Sequence, residues 1–266
     1  MASKSVLVTG ASSGIGQACA QRFHDAGWRV IATARSTDGR HPDYDWVALD
    51  LNDADSINHA CSAVKALVGT PDVVVNNAGY GLIAPVETVE TGAAERQFQA
   101  NYFGTLAVTR AFLPDMRERN SGVIAAVSSI GGRMAFPFFG HYNASKHALE
   151  AAYESLHHEL AHSNIRVRII EPGFTQTQFA THGMDQSYHD EPYYAQGLTT
   201  LARRLQTGDT GTDPAVLGEL IFRACTDKGG LRHAAGSLAK PLLWARRLLP
   251  EAWFLGLITR ATNPKR

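Results

Sequence analysis

Ser5-Val6-Leu7-Val8-Thr9-Gly10-Ala11-Ser12-Ser13-Gly14-Ile15-Gly16 is the stretch whose reading decides the fold. A short apolar run ends at Gly10, further glycines follow at 14 and 16, and a helical pattern continues through Ala26. A strand, a glycine-rich turn and a helix together make an anion site. Glycine lets the backbone approach a phosphate closely, and the helix N-terminus offers free N–H groups with a partial positive charge. The spacing is G-x3-G-x-G rather than the commoner G-x-G-x-x-G, yet the context on both sides is the one a dinucleotide cradle needs. The plainer alternative is a glycine-rich β–α turn with no ligand.

Outward from this unit, strands and helices alternate. Trp28 to Ala34 reads as a second strand and Trp46 to Leu49 as a third, followed by Asp50-Leu51 and by Asp53, which caps the next helix. Asp72-Val73-Val74-Val75 has the unbroken β-branched character of a buried parallel strand. It runs into Asn76-Asn77-Ala78-Gly79-Tyr80-Gly81, a tight turn at a strand's carboxyl end, where open α/β sheets place ligands. Ala93 to Met116 is helical, Gly122 to Val127 a strand, Tyr142 to about Ala161 a helix and Arg166 to Glu171 a strand. Asp213-Pro214 opens another helix, with the aspartate as N-cap and the proline at the first helical position, and Leu231 to Ala235 reads as the last strand. The alternation predicts one doubly wound α/β domain over residues 1–266, with a parallel sheet of about seven strands.

Several residues carry chemistry within that frame. Arg35 follows the second strand, where a carboxylate would hold a ribose 2′-hydroxyl and an arginine accommodates a 2′-phosphate. No carboxylate occurs there before Asp38, so NADP(H) is expected over NAD(H), with Ser12 or Ser13 able to add a hydroxyl. Asp50 either meets the adenine or caps its turn. Asn101 falls on a mostly apolar helix face with Phe98, Thr105, Val108 and Phe112, as a structural hydrogen bonder or a holder of water in a proton path. Ser129 follows the fifth strand and stands thirteen residues before Tyr142. Tyr142 and Lys146 lie four apart on one helix face. Free tyrosine has a pKa of roughly 10. A neighbouring ammonium favours the phenolate, which makes the phenol a tunable proton donor and acceptor. Between Ser129 and Tyr142 lie Met134, Phe136, Phe138 and Phe139, which either line an apolar substrate pocket or pack beneath the loop.

Composition excludes other classes. Lys+Arg and Asp+Glu balance at 25 each, so there is no electrostatic footprint for nucleic acid. Hydrophobic residues make up 44% and charged residues 19%, as in a globular chain. Cys19, Cys61 and Cys225 are far apart, which argues against disulfides or a zinc site and fits a reducing compartment. No basic and apolar leader precedes the first strand, so a cytoplasmic location is expected. No metal site is expected: the histidines after residue 174 lack a compact spacing.

Taken together, Thr9-Gly10-x3-Gly14-Ile15-Gly16, Asn76-Asn77-Ala78-Gly79, Asn101, Ser129 and Tyr142-x3-Lys146 closely resemble the short-chain dehydrogenase/reductase family in its compact single-domain form. The resemblance runs from about Ser5 to Thr177, and more weakly to Gly236. It implies a Rossmann-type fold and an oxidoreductase acting on CH–OH groups. It implies that Tyr142 is the general acid or base, that Lys146 lowers its pKa and binds the nicotinamide ribose, that Ser129 orients the substrate, and that Asn101 holds a relay water. It further implies that Thr9 fixes the glycine turn and Asp50 holds the adenine. Leu51, Asn77, Ala78, Gly79, Pro172, Gly173, Thr175 and Thr177 complete the implied cofactor set, with Thr177 at the carboxamide. The Asn-Asn-Ala-Gly-Tyr-Gly and Glu-Pro-Gly-Phe-Thr-Gln-Thr forms are similar to the 17β-hydroxysteroid and retinol dehydrogenase-like branch, which implies a hydrophobic alcohol or carbonyl substrate. A homodimer or homotetramer is the family's usual assembly. A regulatory NADPH sensor without catalysis is the competing reading, disfavoured by the intact Ser129, Tyr142 and Lys146. An epimerase or dehydratase would want a larger substrate domain.

The end of the chain is less regular. From Phe174 to Gly211 periodicity fades, and this stretch is expected to be a substrate-binding loop. A helical segment over about 237–260 follows. Its Trp253, Phe254, Leu257 and Ile258 are expected on one face, to close the pocket or meet a partner subunit in preference to lying on a membrane surface with Arg246 and Arg247 at the headgroups.

Overall fold

Short runs of valine, isoleucine and alanine, each bounded by glycine, asparagine or aspartate, become the strands of one parallel sheet. The computed structural model describes residues 3–37, 41–176, 184–185, 191–206 and 211–262. In chain order the elements begin β1 (Ser5–Val8), α1 (Gly14–Asp25), β2 (Arg29–Ala34), β3 (Asp45–Ala48), α2 (Ala54–Val68), β4 (Val73–Asn76) and β5 (Gly81–Leu82). Then come α3 (Thr91–Phe98), a π-helical turn at Gln99–Gly104, α4 (Thr105–Glu118), β6 (Gly122–Val127), a 3-10 turn at Ile130–Gly132 and α5 (Gly140–Glu159). The chain continues through β7 (Ile165–Pro172), β8 (Met184–Asp185), α6 (Pro192–Gln206), α7 (Pro214–Thr226), β9 (Arg232–Ala235), α8 (Ala239–Leu248) and α9 (Glu251–Thr262).

The seven-stranded sheet has the order β3-β2-β1-β4-β6-β7-β9, and every pairing is parallel. Alternate side chains feed its two faces. Leu7, Ile31, Val74, Ile124 and Ile169 pack with residues of α2, α4 and α5, whereas Val6, Val8, Val30, Val75 and Ala125 pack with α1 and α7. This is the doubly wound Rossmann-type fold. The strand order reverses between β1 and β4, and ligands of such sheets sit outside the carboxyl ends of the strands at that switch point. The glycine turn leaves β1 there, Asn77-Ala78-Gly79 leaves β4, and Ser129 lies just beyond β6.

Two caps foreseen from the sequence form as expected. Asp53 accepts the N–H groups of Asp55 and Ser56, and Asp213 accepts that of Ala215 with Pro214 at the first helical position. Three expectations need correction. The stretch 174–211 is not all loop: it contains the helix α6, whose Leu198 and Leu201 turn toward Ile83 and Phe139, and β8, which pairs with β5. A three-residue apolar spacing inside a polar, tyrosine-rich segment was too sparse to announce a helix. The Ala93–Met116 helix is interrupted by the π turn. Finally, Trp253 and Leu257 do not share the fate of Phe254 and Ile258. The latter pair is buried against Ile130, Met134 and Ala239, while the former is exposed. Four residues spread over two adjacent helical rows cannot all face the same neighbour. The helical segment expected over about 237–260 takes the form of two helices, α8 and α9. Thr177, His182, Tyr188 and His189 lie outside the described residues.

Candidate active site

The cradle is made of backbone locked by two side chains. Thr9 Oγ1 accepts the N–H groups of Asn77 and Ala78, each at 3.0 Å. Asn77 Nδ2 returns hydrogen bonds to the carbonyls of Thr9 and Gly10 at 3.0 and 3.1 Å. Gly10 and Gly14 have φ of 66° and 56°, the left-handed region that favours glycine. A Cβ on Gly16 would stand 2.2 Å from the Gly10 oxygen and 2.4 Å from Asn77 Nδ2, so the turn tolerates no side chain there. Ser13 is the N-cap of α1 but makes no side-chain cap bond, and no acidic residue sits in the helix's first turn. Ser12 and Ile15 are half-buried beside it. An open glycine concavity on a helix N-terminus free of acid fits a pyrophosphate. Arg35 is exposed at the end of β2. Asp50 accepts the N–H of Asn52 at 2.9 Å, so its carboxylate already caps its own turn. Leu51 is buried against Gly104, where a Cβ would meet its carbonyl at 2.5 Å.

Asn101 sits in the π turn, fully buried. Its Oδ1 accepts the Tyr80 N–H at 3.0 Å, and its Nδ2 donates to the Tyr80 carbonyl at 2.9 Å and to Ser145 Oγ at 3.1 Å. The structural alternative is thus realised in its side chain. Ser145 Oγ in turn donates to the Tyr142 carbonyl at 2.8 Å, which ties the π turn to the front of α5. Asn101 Oδ1 and Lys146 Nζ both border Gly79, at 2.8 and 3.7 Å from where its Cβ would be.

Ser129 has extended backbone and caps the 3-10 turn, accepting the Gly131 N–H at 3.0 Å. Gly131 lets this turn close onto α5: a Cβ there would lie 2.7 Å from Asn143 Oδ1, and 3.3 Å from both Ser129 Oγ and Tyr142 Cε1. Ser129 also hydrogen-bonds the Tyr142 phenol. Lys146 is buried, and its ammonium donates to the Val127 carbonyl at 2.8 Å, 6.0 Å from the centre of the Tyr142 ring. Burial brings the lysine down to about 8, against an upward pull from Glu150. Burial likewise raises the tyrosine, and what lowers it is the Ser129 hydrogen bond. The lowering expected from Lys146 is not what opposes burial in the protein by itself: desolvation outweighs, and the opposing pull comes from the serine.

Behind Lys146 lies a group that sequence reading missed. Glu150, one turn further along α5, is buried and meets Arg232 Nε at 3.0 Å. Glu171 on β7, also buried, meets the same Nε at 3.4 Å and Arg133 at 3.2 Å. Burial raises both carboxyls, and Glu150 raises Glu171 further. The signal available was Glu150 four residues after Lys146, which puts both on one helix face; its partners come from β7, β9 and the 3-10 turn and leave no local pattern.

The apolar stretch divides its work. Phe136 and Phe139 cluster with Tyr142, Ile83, Leu198 and Leu201, while Met134 packs under α9. A proton donor, a serine hydroxyl and a lysine therefore converge beside an apolar wall and a phosphate cradle. On the far side, Gly173 is pressed against Ser237, where a Cβ would meet its oxygen at 2.2 Å, and follows Pro172 at the end of β7. Thr175 Oγ1 donates to the Gly173 carbonyl at 3.1 Å.

Comparison with known proteins agrees with this geometry. Residues 4–187 match the short chain dehydrogenase family. The uncharacterized oxidoreductase YbbO of Escherichia coli K12 is 34% identical over 252 residues, covering 93% of this chain and 91% of that one. The dehydrogenase/reductase SDR family protein 7-like of Drosophila melanogaster is 33% identical over 275 residues, covering 98% and 81%. Among solved structures, a short-chain dehydrogenase from Streptomyces avermitilis superposes with a TM-score of 0.86 at 33% identity, covering 99% of this chain and 98% of that one. The chain therefore belongs to the short-chain dehydrogenase/reductase family and is an NAD(P)-dependent oxidoreductase.

Proposed function

We propose that the protein interconverts a secondary alcohol and a ketone, or an alcohol and an aldehyde, on a hydrophobic substrate, with NADP(H) preferred over NAD(H). The observation that carries this reading is the convergence of Ser129, Tyr142 and Lys146 beside the wall of Phe136, Phe139, Ile83, Leu198 and Leu201. A nicotinamide dinucleotide supplies or accepts the hydride when bound. Thr9, Gly10, Ser12, Ser13, Gly14, Ile15 and Gly16 would hold its pyrophosphate, Arg35 the 2′-phosphate, Asp50 and Leu51 the adenine side. Asn77, Ala78, Gly79, Pro172, Gly173, Thr175 and Thr177 would enclose the rest.

Ser129 orients the substrate oxygen toward the Tyr142 phenol. Tyr142 gives that oxygen its proton in reduction and takes it in oxidation. Lys146 binds the nicotinamide ribose and, as a cation, favours the phenolate that reduction leaves behind. Asn101 fixes the Tyr80 turn and the front of α5, and from beside Gly79 and Lys146 it would hold a water in the proton relay. The apolar wall keeps water off the reacting carbon. A homodimeric or homotetrameric cytoplasmic enzyme is the form we assign to it.

The test is a screen of apolar ketones, aldehydes and alcohols with NADPH and NADH side by side, repeated with Tyr142→Phe. Turnover with NADPH should fall by about 100-fold or more in the variant, the size of a lost general acid, with cofactor binding retained. Equal turnover by the two proteins would overturn the mechanism.

A further inference from the structure

The neutral chain does not spread its charge or its exposed apolar residues evenly. Residues 239–262 hold four basic side chains, Lys240, Arg246, Arg247 and Arg260, against one acidic, Glu251. The same two helices and the turn between them hold a concentration of exposed large apolar residues: Trp244 at 58%, Leu248 at 69% and Trp253 at 71% exposure, with Leu249, Leu255 and Leu257.

The pattern is ordered. On α8, Lys240, Trp244, Arg247 and Leu248 follow at four, three and one residue, which is one outward helical face. On α9, Trp253, Leu257 and Arg260 repeat the arrangement. Both outward faces thus present tryptophan, leucine and arginine together. The inward faces are satisfied: Phe254 and Ile258 pack on Ile130 and Met134, and Arg246 lies over the Phe254 ring and beside Glu251 at 3.5 Å. Among the described residues Lys240, Arg247 and Arg260 form no ion pair.

We propose that the outward faces of α8 and α9 form a docking surface for an anionic lipid bilayer, on which the helix pair lies in the plane of the headgroups. Tryptophan and leucine enter the boundary between headgroup and acyl chain, and the flanking cations meet the anionic headgroups. No helix among the described residues is long and apolar enough to cross a membrane, so the contact is with the surface. A second copy of the chain fits less well. A two-fold interface would bring Lys240, Arg247 and Arg260 against the same cationic patch, with Glu251 as the patch's acidic residue. Because α9 also packs on the residues after Ser129, docking would bring the apolar site close to the lipid.

The test is cosedimentation of the full chain with phosphatidylglycerol–phosphatidylcholine vesicles and with pure phosphatidylcholine vesicles, alongside sedimentation velocity without lipid. The readout needs no substrate, so it stands apart from the proposed reaction. Binding is expected to the anionic vesicles, weakening with salt. Trp244→Ser with Trp253→Ser should weaken it roughly tenfold, and Lys240→Gln with Arg247→Gln and Arg260→Gln by at least as much. All five positions are exposed, so the fold should survive, as circular dichroism will verify. No binding to either vesicle, or equal binding to both, would overturn the proposal. An oligomer in lipid-free solution that dissociates in the tryptophan variant would overturn it too, by giving the face to a second copy.

Discussion

Under the proposed function the two ends of the chain solve the same problem, holding a ligand against the sheet, with different materials. The first 80 residues hold it with backbone: glycine conformations, a free helix N-terminus and the Thr9–Asn77 clasp. The region after Pro172 holds it with side chains, through α6, α8 and α9 packed around Phe136, Phe139 and Met134. A backbone device admits one residue type at each position and cannot drift. A side-chain wall admits any apolar residues of suitable volume, so substrate choice can change there without loss of the fold.

Substitutions can break that contrast. The largest effect is expected from Gly16→Ala, whose methyl meets the Gly10 carbonyl and Asn77 Nδ2. Overpacking of this kind costs about 1–3 kcal/mol, and the distorted cradle should weaken dinucleotide binding by about 100-fold in a calorimetric titration. A tolerated alanine would show that the cradle is no more exacting than the wall. Next comes Arg35→Glu, which removes a cation from the end of β2 and adds the carboxylate suited to a ribose hydroxyl. The ratio of kcat/KM for NADPH over NADH should fall roughly tenfold or more, the worth of one charged hydrogen bond. An unchanged ratio would remove Arg35 from the cofactor site.

Lys146→Met tests the seam between the halves. The lysine titrates near 8 in the fold and near its ordinary value of about 10.4 when unfolded. Between those values the unfolded chain binds more protons, so stability rises with pH from about 8 upward, and below 8 the buried ammonium is a standing cost. The variant should therefore be more stable than the parent at pH 7 by about 1–2 kcal/mol in urea unfolding, while losing turnover. A variant less stable than the parent would mean that the hydrogen bond to Val127 outweighs desolvation. Smallest is Phe136→Ala with Leu198→Ala, at the half-buried edge of the wall. KM for long apolar substrates should rise roughly fivefold, about 1 kcal/mol in all because both side chains are only half-buried, and the melting temperature should barely move. A large loss of stability would make these residues core rather than wall.

Legibility in sequence divides along the same line. Gly10, Gly14, Gly16, Asn77 and the Tyr142–Lys146 pair were readable because each requirement is local: a turn, a helix face, a strand end. Asp53 and Asp213 were readable as caps for the same reason. The helix α6 was missed, because Leu198 and Leu201 find their partners in Ile83 and Phe139, more than fifty residues away in the chain. Glu150 was missed as part of the site because Arg232 reaches it from the last strand. Trp253 and Phe254 were grouped together, since sequence shows an apolar stripe but not which of its rows meets the protein.

The π turn at Gln99–Gly104 makes chain length itself a coded variable. Its wider winding lets Gln97, Asn101 and Thr105 succeed one another at four-residue steps, all buried, before the ordinary helix resumes at Val108 and Phe112. Deleting a single residue here would restore regular winding without turning the flanks, because Gln97 and Thr105 would then stand seven residues apart, about two turns of an ordinary helix. Val108 and Phe112 would keep their place in the core, while Asn101 would shift away from Tyr80 and Ser145. Most single substitutions on the outer surface of this helix should be silent, yet a one-residue deletion within the turn should damage the site while sparing the fold. The helix keeps count, and its register is inherited as a number of residues rather than as any one of them.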